Sequence, residues 1–379
     1  MWRNASGVKD TTRSAVAVVV CIAMLMLAFM VLLPETQASA ASLERFSIGG
    51  LLSQRDPTNL TLASPNAQST GDFGLSVANS GTTVVVGAPG ETASGYDYAG
   101  HAYIFNAKTG TLISTLTSSN PQPSGAFGSS VSISGTTVVV GAPEETASGV
   151  GYAGHAYVFK ATTGALIRTL TSSNPQPSGA FGSSVSISGT TVVVGAPSEN
   201  ASGYSDAGHA YDFKATTGAL ISTLTSPNAQ LGGSFGHSVA IGGTTVVVGA
   251  PYETALGYSE AGHAYVSNAT TGALIRTLTS PKARFDGFFG YSVAIRGTIV
   301  VVGAVGETAS GHGKAGRAYV FSATTGALIR TLTSPNAQAS GAFGSLASIS
   351  GTTVVVGAPY EKASGYRQGG HAYVFIKAT

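Results

Sequence analysis

Charge and cysteine are both scarce in this chain. Only 9% of its 379 residues are Asp, Glu, Lys or Arg, and it has a single cysteine, Cys21. One thiol cannot form an intrachain disulfide, so no disulfide framework holds the fold. The charges nearly cancel, with 19 Lys and Arg against 17 Asp and Glu. That balance argues against electrostatic capture of nucleic acid or of an anionic membrane. Helical periodicity is missing too: no segment of the repeated part places apolar residues at helical spacing.

One long apolar run exists, 19 residues from Ala15 to Leu33. Arg3, Lys9 and Arg13 precede it, and Ala38-Ser39-Ala40 follows as a signal-peptidase-like site. The run is long for a secretory signal and just sufficient to span a bilayer. Residues 1–40 therefore read as a cleaved signal peptide or a retained membrane anchor, and the remainder is expected to be exported either way. Cys21 follows Val20, where a lipoprotein site requires a small residue, so no lipid anchor is expected. Residues 41–55 read as a linker, and the exported part contains no cysteine.

What the chain does have is glycine, 51 residues of it, and a 43% hydrophobic content. Both are organised by repetition. The 17 residues "FGSSVSISGTTVVVGAP" occur at Phe127–Pro143 and again at Phe181–Pro197. A Phe-Gly pair recurs every 54 residues, at Phe73, Phe127, Phe181, Phe235, Phe289 and Phe343. "GAP" follows in five copies and "GAV" at Gly303, so residues 56–379 hold six copies.

Each copy reads as four short strands. In "FGSSVSIS", Phe127, Ser129, Val131 and Ile133 share one face. "TTVVVGA" is apolar on both faces, as a strand buried on both sides requires. "HAYVFKA" is aromatic and β-branched, and "ALIRTLTS" has the polarity of an outer strand. "SG" and "TTG" between them are tight hairpin signals. Four antiparallel strands in a unit of this length predict an all-β fold, a β-propeller of six blades, with seven as the alternative. The last copy ends at its third strand, and "TNLTLASPNAQ" at 58–68 aligns with the fourth strand of the copy before it. Residues 58–64 are therefore expected to pair with 371–376 and close the ring, removing two exposed sheet edges.

"FG…SVAI…VVVGAP…GHAYVF" resembles the FG-GAP repeat of the integrin α-subunit propeller and of many secreted bacterial and archaeal proteins. The resemblance covers residues 56–379 and implies a propeller used in adhesion or recognition. "NLTLASP" is similar to the strand that opens the integrin propeller. Two departures stand out. Integrin propellers have seven blades. Many FG-GAP repeats also carry an Asp-rich calcium loop between the first two strands, where this chain has only "SG", "GG" or "RG". Calcium is therefore not carried over, and no cofactor or metal is expected.

In a four-stranded blade the 1–2 and 3–4 turns lie on one face of the disc, and the 2–3 and 4–1 connections on the other. The second pair is long here, as in "GAPEETASGVGYAGHAY", and long loops on a rigid scaffold carry recognition. Tyr96, Tyr204, Tyr258 and Tyr366 lie at one loop position, where the other copies have Val150 and His312. Tyrosine supplies contact area and a hydroxyl at low entropic cost, so these four are candidate ligand anchors, with relaxed packing of exposed loops as the bland reading.

Two polar positions recur beside them. Glu91, Glu145, Glu199, Glu253, Glu307 and Glu361 are each followed ten residues later by His101, His155, His209, His263, Arg317 and His371. These are candidate ligand-binding residues. Their structural reading is a carboxylate that accepts hydrogen bonds within its loop and pairs with the imidazole. Two ligands per blade are too few for a closed metal site, and Arg317 does not serve as a ligand. The G-x-G-x-x-G match at Gly149–Gly154 precedes a strand rather than a helix and is a poor dinucleotide signal. No serine stands in a nucleophile elbow, and six equivalent blades repeat the same groups instead of bringing different roles to one point.

The expectation is a secreted or cell-surface propeller, not an enzyme, that binds an extracellular protein or glycan non-covalently through its long-loop face. It would touch no nucleic acid, and a membrane only if the N-terminal segment is retained. The alternatives are a lectin-like or enzymatic module with a metal or sugar pocket, or a passive surface-layer component.

Overall fold

The computed structural model describes residues 2–4 and 60–377. The apolar run at 15–33 and the linker at 41–55 lie outside the described residues. Six four-stranded antiparallel sheets are arranged as the blades of a β-propeller. Their first strands begin at Val77, Ser130, Ser184, Ser238, Phe289 and Ala347.

Blade 2 shows how the repeat folds. Its strands are Ser130–Ser134, Thr137–Ala142, His155–Lys160 and Leu166–Leu170, hydrogen-bonded in chain order. Val138, Val139 and Val140 are all fully buried, because the second strand is sandwiched between neighbouring blades. Val138 and Val140 face blade 1, and Val139 faces blade 3. The fourth strand is mostly exposed, with only Leu170 buried, which is why its sequence is the most polar.

Both glycines of the motif are needed where two blades meet. A Cβ on Gly141 would lie 2.0 Å from the carbonyl oxygen of Gly182 in the next blade. Gly182 sits at φ +98°, a backbone region that side chains disfavour. The Phe beside it plugs the same seam. Phe181 is fully buried, edge-on to Phe213 at 5.9 Å. Burial of such a side chain is worth about 2–3 kcal/mol. FG and GAP are thus two halves of one contact, which recurs at all five seams from blades 1–2 to blades 5–6.

The end of the chain departs from expectation. A strand from the N-terminal region does complete the last blade, but it is Trp2–Asn4, paired antiparallel with Phe375–Lys377. Residues 60–64 form no strand and do not pair with 371–376, and 58–59 lie outside the described residues. The segment nevertheless holds half of its expected station. Leu62 packs against Val86, Tyr103 and Phe105 of blade 1, as Leu116 packs in the blade 2 core. Ser64 donates to Glu91. These contacts use side chains that the repeat specifies. Pairing with the outermost edge uses backbone groups that any extended segment offers, so it is weakly specified by sequence.

Candidate functional site

The long loops are short hairpins standing on a buried base. In blade 1, Ala93 and Tyr96 exchange both backbone hydrogen bonds, 3.1 and 2.9 Å, around Ser94 and Gly95. Ser94 and Gly95 both have positive φ, 52° and 84°, the requirement of a type I′ turn. The same pairing forms at Ala147–Val150, Ala201–Tyr204, Ala255–Tyr258, Ala309–His312 and Ala363–Tyr366. The residue closing this turn is lifted to the surface. Tyr96, Tyr204, Tyr258 and Tyr366 are 44%, 49%, 50% and 75% exposed. The structure thus places all four candidate anchors on one face, each on its own blade, rather than in one cluster.

The loops of that face are bonded to each other. Ser124, Ala126 and Phe127, entering blade 2, donate to Asp97, Tyr98 and Ala99 of blade 1. A glutamine then clasps the neighbouring hairpin. Gln68, Gln122, Gln176, Gln230 and Gln338 each accept from the backbone N–H of the residue 24 positions on, at 2.8–3.0 Å.

The glutamates lie beneath the hairpins. Glu91, Glu145, Glu199, Glu253 and Glu361 have no exposed surface, and Glu307 has 1%. Each accepts from the tyrosine of its third strand: Tyr103, Tyr157, Tyr211, Tyr265, Tyr319 and Tyr373. Nδ1 of His101, His155, His209, His263 and His371 lies 2.8–3.0 Å from the same carboxylate. Only at His263 is the approach in line for a hydrogen bond. A serine just beyond the preceding fourth strand adds a further bond in blades 2–5, as Ser118 does to Tyr157 at 2.9 Å. Burial, reinforced by the carboxylate, raises these phenols above their ordinary pKa, and Tyr373 is pushed up to about 12. The pairing of Glu with His read from the sequence is present. The tyrosine and serine that complete it were missed, because an aromatic residue in a strand reads as core. No three His, Cys, Asp or Glu residues come together among the described residues.

Blades 4 and 5 break the symmetry. His237, Tyr252, Phe288 and Tyr291 form a contiguous aromatic group, with His237 4.8 Å from Tyr291 and Tyr252 5.5 Å from Phe288. Burial lowers the pKa of His237 and raises those of Tyr252 and Tyr291. Leu75, Ser129, Ser183 and Ser345 hold the position of His237 elsewhere. Farther out, Tyr258, Lys282, Arg284, Phe285, Thr308 and Arg317 line an open pocket of about 550 Å³. The signal for it was in the sequence, since "SPKARFDGFFG" stands where another copy has "SPNAQLGGSFG".

The FG-GAP repeat family model matches residues 60–105, 111–159, 166–213, 220–267, 275–321 and 328–375, six matches that each end in the third strand of a different blade. No match is found among curated protein sequences. Among solved structures, the crystal structure of the computationally designed Ika8 protein is similar at 18% identity and a TM-score of 0.49, covering 80% of this chain and 70% of that one.

Proposed function

The chain belongs to the FG-GAP repeat family, and from that premise we propose that it is an exported recognition propeller that binds a protein or glycan without covalent chemistry. FG-GAP repeats are typical of extracellular and cell-surface proteins. Export through a signal or anchor at residues 1–40 would cleave Trp2–Asn4 away or hold it across the membrane from the propeller, so the last blade of the exported form would lose that strand and keep three. No helix among the described residues is long and apolar enough to cross a membrane. One observation carries the reading. Four exposed tyrosines stand on hydrogen-bonded hairpins, all on the long-loop face of a scaffold whose blades interlock. Rigid aromatic anchors of this kind bind with little loss of conformational entropy.

The test begins with a screen of extracellular proteins and glycans against the chain. Tyr96, Tyr204, Tyr258 and Tyr366 are then replaced together by Ala. The control replaces Thr109, Thr163, Thr271 and Thr325 in the 3–4 turns of the opposite face. The expected outcome is loss of binding in the tyrosine variant and retention in the control. The reverse would place recognition on the short-turn face. A lectin-like role is the second reading, favoured by the asymmetric pocket between blades 4 and 5.

A further inference from the structure

Comparison of blade 5 with its sisters isolates three changes at one place. Where the other copies have asparagine at 66, 120, 174, 228 and 336, blade 5 has Lys282. Where they have the clasping glutamine, it has Arg284, and where they have histidine, Arg317. Nothing in the repeat requires these cations, because five blades fold the same way without them. All three line the same pocket.

The exchange also alters the balance of donors and acceptors. Arginine cannot accept a hydrogen bond. The Thr308 backbone N–H therefore lacks the amide oxygen that glutamine supplies to its equivalents. The Thr308 carbonyl takes its bond from Arg317 Nε at 2.8 Å, and this Nε lies 3.7 Å from Glu307. The two Nη groups of Arg317 and the side chains of Lys282 and Arg284 have no hydrogen-bond partner among the described residues, although the charges of Arg317 and Arg284 partly offset the upward shift that burial gives Glu307. Glu307 is enclosed and already accepts from Tyr319 and Ser280. Of the other nearby acids, Asp286 is paired with Lys314 at 3.2 Å, and Glu260, whose backbone carbonyl accepts from the Phe288 N–H, does not line the pocket. The pocket is therefore rich in donors and cations, with no exposed carboxylate among its lining residues. Phe285, 62% exposed, and Tyr258, 50% exposed, present aromatic faces at its wall.

We propose that this pocket binds an acidic saccharide, its carboxylate or sulfate held by Lys282, Arg284, Arg317 and the Thr308 N–H, its ring lying on Phe285 or Tyr258. Charge-assisted hydrogen bonds fix the anion. The apolar C–H face of a pyranose ring matches an aromatic face, which an inorganic anion does not use. The proposal rests on the recognition reading above and narrows it to one ligand class and one seam.

The experiment measures binding of the full chain to oligogalacturonate, dextran sulfate, neutral dextran, polyglutamate and inorganic sulfate. The acidic saccharides should bind, and neutral dextran and inorganic sulfate should bind at least about tenfold more weakly. The variant Lys282→Asn, Arg284→Gln, Arg317→His installs the residues of the sister blades, so it retains a fold the chain already uses. It should lose saccharide affinity by about tenfold or more. Phe285→Ala should weaken the saccharides and leave inorganic sulfate unchanged. No binding of either acidic saccharide, or an undiminished affinity in the triple variant, would overturn the proposal. So would polyglutamate binding equally well and indifferently to Phe285→Ala, which would mark an acidic-peptide site. If the triple variant keeps its saccharide while the four-tyrosine variant loses it, the pocket falls and the recognition face stands.

Discussion

Between blades 2 and 3, Gly141 and Gly182 leave no room for a methyl group, and Phe181 is fully enclosed. Between blades 6 and 1, the corresponding Gly74 has nothing within 4 Å of a built Cβ, and Gly357 meets only Leu346 of its own blade, at 3.7 Å. Val374 is 42% exposed, whereas Ile104, Val158 and Val266 at the same position are fully buried. The sixth seam therefore lacks the contact that makes the other five. The repeats differ here in sequence, because Leu346 and Ala347 stand where every other blade has Ser-Val, and the serine that donates to the glycine carbonyl of the next blade, as Ser130 does to Gly182, is missing. Position adds to this. A seam between consecutive blades is brought together by the chain itself, whereas the sixth must join elements almost 300 residues apart, at a greater cost in loop-closure entropy.

The comparison is most easily broken at the phenylalanines. Phe181→Ala should cost about 3–5 kcal/mol in chemical denaturation, as an enclosed aromatic truncated to a cavity does. Phe73→Ala, at a half-exposed site, should cost less than half as much. Equal losses would mean that blade 6 covers Phe73 in solution.

The glycines sharpen the same contrast. Gly141→Ala drives a methyl group into a carbonyl and should destabilise by about 3 kcal/mol. Gly357→Ala should lie within about 0.5 kcal/mol of the parent, as substitutions away from tight contacts do. A matching penalty at both positions would show Gly74 docking on Gly357.

Among the five formed seams, that between blades 3 and 4 is expected to be the weakest. Asp212 occupies the position of Ile104 and Val158, fully buried, with Ser222 donating to one oxygen and none to the other. Ser267 replaces the phenylalanine found at that position in the other blades. Burial pushes the Asp212 carboxyl up to about 7, against an unfolded value of about 3.9. The unfolded chain thus releases this proton first. Its contribution is neutral below about pH 4 and increasingly destabilising between pH 4 and 7, then constant above. Asp212→Val should stabilise the protein by about 2 kcal/mol at pH 8 and by less at pH 4. A gain that does not change with pH would assign the effect to packing alone.

The smallest effect concerns the clasp. Arg284→Gln restores the acceptor for Thr308 and should stabilise blade 5 by about 0.5–1 kcal/mol, while Gln122→Ala should cost blade 2 a similar amount. If Arg284→Gln proved destabilising, the guanidinium would be holding its loop by contacts other than hydrogen bonds.

The six blades, their four strands and the face that carries the long loops were all legible in the sequence. A period of 54 residues, alternation along Val131 and Ile133, and the run Val138–Val140 are local patterns that local chemistry explains. The repeated Glu–His spacing was legible as a pair for the same reason. Three things were decided only by tertiary structure. The partner of the last strand is Trp2–Asn4 instead of 58–64, because an outer edge is satisfied by backbone hydrogen bonds that carry little side-chain identity. The tyrosine and serine at the buried glutamates of blades 2–5 come from separate segments, the serine from just beyond the fourth strand of the preceding blade. The cationic pocket, too, is assembled across a seam, from Tyr258 of one blade and Lys282, Arg284 and Arg317 at the next. Sequence determines what each blade is. The meeting of loops from different blades decides what surface the protein shows, because those residues become neighbours only when the seams close.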